Sequence, residues 1–99
     1  IITPTQSGYT ARMISRFRPG CVVAALTTEE RVRRQLAISW GVMPYLTGNV
    51  DSTDRLFSMC VDSARKEGVV EPGDTVVITA GVPIGKSGST NLIKAQVVK

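Results

Sequence analysis

The chain has 99 residues, a mass of 10.6 kDa, a 42% apolar fraction and a mean hydropathy of +0.08, which excludes disorder and collagen-like repeats. About 64% of the extended surface is buried at this size, enough for one core without a metal or a disulfide. Twelve Lys/Arg against eight Asp/Glu leave +4 with no histidine, and no apolar run or leader segment suggests a membrane or secretion. The opening Ile1-Ile2-Thr3 looks like the tail of a strand, in a chain that begins as a fragment would. Ser7 caps a helix expected over 9–17, in which Thr10, Met13, Ile14 and Phe17 share one face. Arg18-Pro19-Gly20 stops it. The run Cys21–Leu26 is apolar on both faces, as a strand buried in a parallel sheet should be. Thr27 or Thr28 caps the second helix, with Glu29 and Glu30 at its positive end and Val32, Leu36 and Trp40 as its core stripe.

Gly41 ends that helix and 42–46 is a third strand. After the Gly48-Asn49 turn, Asp51 or Ser52 caps a third helix with Leu56, Phe57, Cys60, Val61 and Ala64 on its buried face. Gly68 closes it. Glu71-Pro72-Gly73-Asp74 turns the chain into a strand over 75–79 with an apolar centre on both faces. A glycine-rich loop, 80–90, leads to a last strand over 92–98. The alternation predicts an α/β fold: a single three-layer domain, with a mostly parallel five-stranded sheet and three helices. With no helix before it, the last strand should return antiparallel at an edge. Cys21 and Cys60 are expected to be buried free thiols of a cytoplasmic protein.

The inventory of reactive groups is thin. Without histidine there is no His-based triad or His-containing zinc site, and two distant cysteines cannot hold zinc alone. The acids sit at helix starts, turns and exposed faces, so no catalytic and no metal-ligating residue is assigned. The loop Gly81-Val82-Pro83-Ile84-Gly85-Lys86-Ser87 has one residue too few between its glycines for a Walker A loop, and it runs into a strand instead of a helix. The arginines are spread over three helices and aromatics are only 5%, so nucleic acid is not an expected partner. A small anionic ligand fits the surplus charge better.

The best place for one is Thr3-Pro4-Thr5-Gln6-Ser7-Gly8-Tyr9-Thr10, between the first strand and the first helix, where an open parallel sheet forms its ligand crevice. Thr5, Ser7 and Thr10 offer hydroxyls, Gly8 admits an anion to the backbone, and the helix start supplies N–H groups and a positive dipole. The same residues would also make an ordinary helix cap. Favouring an anion site, both glycine loops follow C-terminal ends of strands and can share one edge of the sheet.

Thr5-Gln6-Ser7-Gly8-Tyr9-Thr10-Ala11, then Ser15-Arg16-Phe17-Arg18-Pro19, Trp40-Gly41-Val42, and Gly81-Val82-Pro83-Ile84-Gly85 with Ser87-Gly88-Ser89-Thr90-Asn91, together resemble the C-terminal domain of pyruvate kinase, in a bacterial form. The resemblance runs from end to end. It implies a parent enzyme that transfers a phosphoryl group from phosphoenolpyruvate to ADP in glycolysis. Catalysis, with Mg2+ and K+, would lie in a TIM barrel outside these residues, leaving the 99 residues themselves inactive. It also implies a regulatory role for residues 1–99. Thr5, Gln6, Ser7, Gly8 and Thr10 would cradle a phosphate of the effector, Ser87, Gly88 and Ser89 would belong to a closing loop, and Arg55 would reach a second phosphate. Gln6, Tyr9, Gly48-Asn49-Val50 and Pro83 depart from the pattern of forms activated by fructose 1,6-bisphosphate, so AMP or a sugar monophosphate is the expected effector. The resemblance further implies a homo-oligomer, a tetramer in the parent, joined through residues 92–98. The rival reading is a stand-alone α/β interaction module in which the glycine loops are only turns.

Overall fold

A computed structural model describes residues 1–81 and 91–99. Their elements are β1 (Ile2–Pro4), α1 (Tyr9–Arg16), β2 (Val23–Thr27), α2 (Glu30–Leu36), β3 (Val42–Leu46), α3 (Thr53–Lys66), β4 (Thr75–Ala80) and β5 (Leu92–Val97). One five-stranded sheet runs in the order β3-β2-β1-β4-β5. It is parallel throughout except at β4–β5, where antiparallel pairing runs from Thr75 opposite Val97 to Ala80 opposite Leu92. This is the expected α/β architecture, with the antiparallel strand at the edge.

Alternate residues of the short central strands feed two cores, because a strand's side chains point to opposite faces. On one face Ala11 of α1 and Val32 and Leu36 of α2 close on Val23, Ala25 and Val42. On the other, α3 sets Leu56, Phe57, Cys60, Val61 and Ala64 against Ile2, Ala24, Leu26, Val76 and Ile78. Three layers result. The α3 face is the one the 3.6-residue period predicts. Ser52 is its cap, accepting the Arg55 N–H at 3.2 Å. Its far end is a Schellman motif: Gly68, at φ 75°, donates to Arg65 C=O, and Val69 donates to Ala64 C=O.

Four expectations change. The first helix buries Ala11 and Ser15 against the sheet; of the expected stripe Thr10-Met13-Ile14-Phe17 only Ile14 packs partly buried against that core, and Phe17 is 84% exposed. Small residues let the helix backbone approach β2, and the Ser15 hydroxyl donates to Trp40 C=O at 2.6 Å. Second, α2 stops at Leu36, so Trp40 lies beyond it, half-exposed, with the Arg18 guanidinium 5.3 Å from its ring centre. Its cap position is Glu29, whose N–H donates to Thr27 Oγ1 at 3.2 Å. Third, Cys21 precedes β2 and is exposed, whereas Cys60 is buried. Fourth, β4 alternates instead of burying both faces: Val76, Ile78 and Ala80 are inside and Val77 is partly exposed. Helices α1 and α2 pack over β2 and β3, away from that side of β4.

Burial pushes the Cys60 thiol up to about 12, from an ordinary value of 9.0. Between pH 9 and 12 the unfolded chain ionises this thiol while the folded chain keeps it neutral. Its contribution is therefore complete below pH 9 and is lost as pH rises through that window, by at most about 1.4 kcal/mol per unit. A thiol-titrating disulfide reagent at pH 8 should modify Cys21 alone in the native protein and both cysteines in denaturant. Two rapid equivalents in the native protein would contradict the packing of α3.

Candidate functional site at the switch point of the sheet

Strand β1 is the centre of the topology. From it the chain winds through α1 and α2 to β2 and β3 on one side, then crosses by α3 to β4 on the other. In open α/β sheets ligands bind outside the strand C-termini where the winding reverses, here between β1 and β4. The turn that leaves β1 at Thr5 lies at that position.

The turn is held by its own hydroxyls. The Thr5 N–H extends the ladder to Leu26 C=O at 2.8 Å, and Thr5 Oγ1 accepts the Gly8 N–H at 2.9 Å. Ser7 Oγ accepts the Tyr9 N–H at 3.3 Å. Ser7 is thus not the cap residue; Gly8 is, at φ 83° and without a side-chain cap bond. The left-handed backbone favours glycine there. A second reason is spatial: a Cβ on Gly8 would stand 2.7 Å from Arg12 Nη1, 3.2 Å from a Leu36 methyl and 3.3 Å from a Val32 methyl. Gly8 therefore seats the start of α1 on α2.

Arg12 is the residue that sequence reasoning missed. Its guanidinium curls back over Gly8 and donates to Ser7 C=O at 3.1 Å, placing a positive charge beside the turn. The available signal was its position one helical turn after Gly8. Of the other expected residues, Gln6 is exposed and Thr10 is half-buried in the first turn of α1. Thr5, Gln6, Ser7, Gly8 and Thr10 thus occupy one turn and the helix start that follows it.

Arg55 is in the first turn of α3, on the opposite face, at the helix end that follows β3. Its guanidinium faces Asp51 Oδ1 at 3.6 Å, and it lines an open depression of about 380 Å³ with Val50, Ser58, Met59, Asp62 and Ser63. Ser87, Gly88 and Ser89 fall outside the described residues. Among the described residues no three His, Cys, Asp or Glu side chains gather as metal ligands do, and no helix is long and apolar enough to cross a membrane.

The profile of the pyruvate kinase alpha/beta domain matches residues 1–96. The chain belongs to that family. It is 52% identical over 99 residues to the pyruvate kinase of Clostridium acetobutylicum, covering all of this chain and 21% of that protein. Over 98 residues it is 48% identical to the enzyme of Lactobacillus delbrueckii subsp. bulgaricus and 47% identical to that of Geobacillus stearothermophilus, with 99% of this chain and 17% of each relative covered. The pyruvate kinase domain here spans about a fifth of the length of these relatives and aligns to their C-terminal region.

Gly8→Ala tests the packing role of the turn. Strain at positive φ and the clash with Arg12 should lower stability by about 1–3 kcal/mol, read from the urea midpoint. An unchanged midpoint would mean that α1 does not rest on α2 through Gly8.

Proposed function

We propose that these residues form the regulatory C-terminal domain of a pyruvate kinase and bind the phosphate of AMP or a sugar monophosphate at Thr5–Thr10. The parent enzyme would transfer phosphoryl from phosphoenolpyruvate to ADP in the cytoplasm, with Mg2+ and K+ in a catalytic barrel outside these residues. The observation that carries the reading is the turn at the β1–β4 switch point. Thr5 Oγ1 already accepts the Gly8 N–H, which leaves its proton to donate to an anion. The start of α1 and the Arg12 guanidinium add positive potential at the same place. Gly8 itself is buried with its N–H and C=O engaged, so its task is structural: it sets the start of α1 where the turn would meet the anion. Arg55 would join through a ligand that spans the edge of the sheet, and Ser87, Gly88 and Ser89 would complete the enclosure.

Thermal melts with AMP, ribose 5-phosphate and glucose 6-phosphate, against adenosine, ribose and glucose, test the site. A rise in Tm with phosphorylated compounds only is expected. In Ser7→Asp the carboxylate takes over the Tyr9 N–H and repels phosphate, so that rise should vanish while the ligand-free Tm stays within a few degrees. A variant that still responds would remove the turn from the site. A parent chain that ignores every phosphorylated compound would favour the interaction-module reading.

The same proposal includes self-association through 92–98. Strand β5 lies at the end of the sheet, with Ile93 and Val97 more than half exposed. An edge of this kind accepts another strand unless charge blunts it. Two-fold symmetry sets the same patch on both copies, and antiparallel β5–β5 pairing satisfies it. Sedimentation mass should rise with concentration toward a dimer, and Ile93→Lys/Val97→Lys should hold the chain monomeric. A mass that is concentration-independent, or unaffected by the two lysines, would refute the contact.

A further inference from the structure

Among the described residues, the surplus of positive charge lies on one side of the sheet. Residues 1–50 carry Arg12, Arg16, Arg18, Arg31, Arg33 and Arg34 against Glu29 and Glu30, whereas residues 51–99 carry six of each sign. The six arginines belong to α1, α2 and the turn after α1, and these two helices close the same core. The α1–α2 layer thus carries a surplus of four positive charges, whereas the described residues of 51–99 carry five basic against six acidic groups. Glu30 is engaged within this layer by Arg33 and Arg34. Arg12, Arg16, Arg31 and Arg34 present exposed guanidinium groups.

The same layer carries exposed apolar side chains. Tyr9 and Trp40 are about half exposed, Phe17 is 84% exposed and Ile38 is 92% exposed. Arg18, the residue after Phe17, stacks on the Trp40 indole. Arginine and aromatic residues with no lysine is the composition of a protein-binding surface; lysine is depleted in such surfaces. Guanidinium groups match carboxylates in a planar, two-pronged geometry.

We propose that the α1–α2 layer docks a protein surface rich in aspartate and glutamate. The phosphate backbone of a nucleic acid fits less well, because Glu29 and Glu30 interrupt the arginines and Phe17 and Ile38 offer apolar area that phosphate cannot use. A second copy meeting face to face would set arginine against arginine, which is repulsive. The surface adjoins the Thr5–Thr10 turn at Tyr9 and Arg12, but Arg16, Arg31 and Arg34 lie outside that turn, and the proposal does not depend on the effector reading.

Trp40 is the sole tryptophan and sits in this layer, so its emission reports binding. Poly-L-glutamate, an acidic polypeptide probe, should shift the Trp40 emission saturably at low salt, and about tenfold more weakly as added salt shortens the Debye length. Arg16→Glu/Arg31→Glu/Arg34→Glu, checked for folding by circular dichroism, should lose the response. Arg31→Glu/Arg34→Glu serves if the triple variant does not fold. Arg65→Glu/Lys66→Glu on α3 should keep the response, and Ser7→Asp should keep it too, separating this surface from the phosphate turn. No emission change, an equal loss in the α3 variant, or a response that survives the α2 reversal would overturn the proposal. So would tighter binding of double-stranded DNA or phosphatidylglycerol vesicles than of poly-L-glutamate.

Discussion

Three residues hold the sheet together. Strand β1 is bonded on both sides, with Ile2 level with Ala24 of β2 and with Ile78 of β4. Ile2 is buried in the α3 core and Thr3, next along, is fully buried toward the other face. A strand enclosed on two faces and two edges has one register that keeps its apolar side chains inside, since a slip of one residue exchanges the faces. That register fixes Thr5 at the edge of the sheet. The Thr5–Leu26 ladder bond then dictates where the turn begins and where α1 can start.

The two faces solve the burial problem differently. Beneath α3, large side chains such as Phe57 and Leu56 fill the space, and the Lys94 ammonium caps the Phe57 ring at 4.5 Å from the β5 side. Beneath α1, Ala11, Ala25 and Ser15 leave little side-chain volume, so the helix backbone itself lies close to the strands. Close approach needs Gly8 at the start of the helix, for the same reason that it needs alanine in the middle. Apart from Ile14, the helix and the turn after it keep their larger residues toward solvent, and these arginines and aromatics contribute to the layer's charge and exposed apolar area.

This explains which parts of the structure were legible in the sequence. The 14-residue α3 repeats its apolar positions over four turns, so both its face and its ends could be read, down to Ser52 and Gly68. Helix α1 has eight residues, too few for the period to outweigh size: alanine and serine take the fully buried places, and of the larger apolar residues only Ile14 packs partly inward. Spacing alone places Trp40 on α2; the helix ends a turn earlier, and cation–π stacking with Arg18 gives the indole a partner near the surface. The Thr5–Thr10 segment was legible as a turn because hydroxyls and a glycine between a strand and a helix satisfy the first N–H groups of that helix, as Thr5 and Ser7 do here. Arg12 was not legible, since an arginine one turn into a helix has the pattern of a solvent-facing residue, and its return over Gly8 depends on where α2 lies.

The antiparallel return of β5 bears on the site more than any one side chain. A parallel strand after β4 would have required a crossover helix, carrying the chain from the C-terminal edge of the sheet to the opposite edge. Because β5 pairs antiparallel, with Asn91 N–H donating to Ala80 C=O at 3.1 Å, both ends of the connection stay at the C-terminal edge. Parallel pairing at Ile2–Ile78 sets Gly81 level with Thr5, so the glycine-rich segment begins beside the turn after β1 and ends one strand further, at β5, on the same edge. The fold thereby brings its two glycine-containing connections, separated by some seventy residues in the chain, to one edge. In a domain with so few reactive side chains, the backbone at this edge of the sheet is what the proposed anion site would have to draw on.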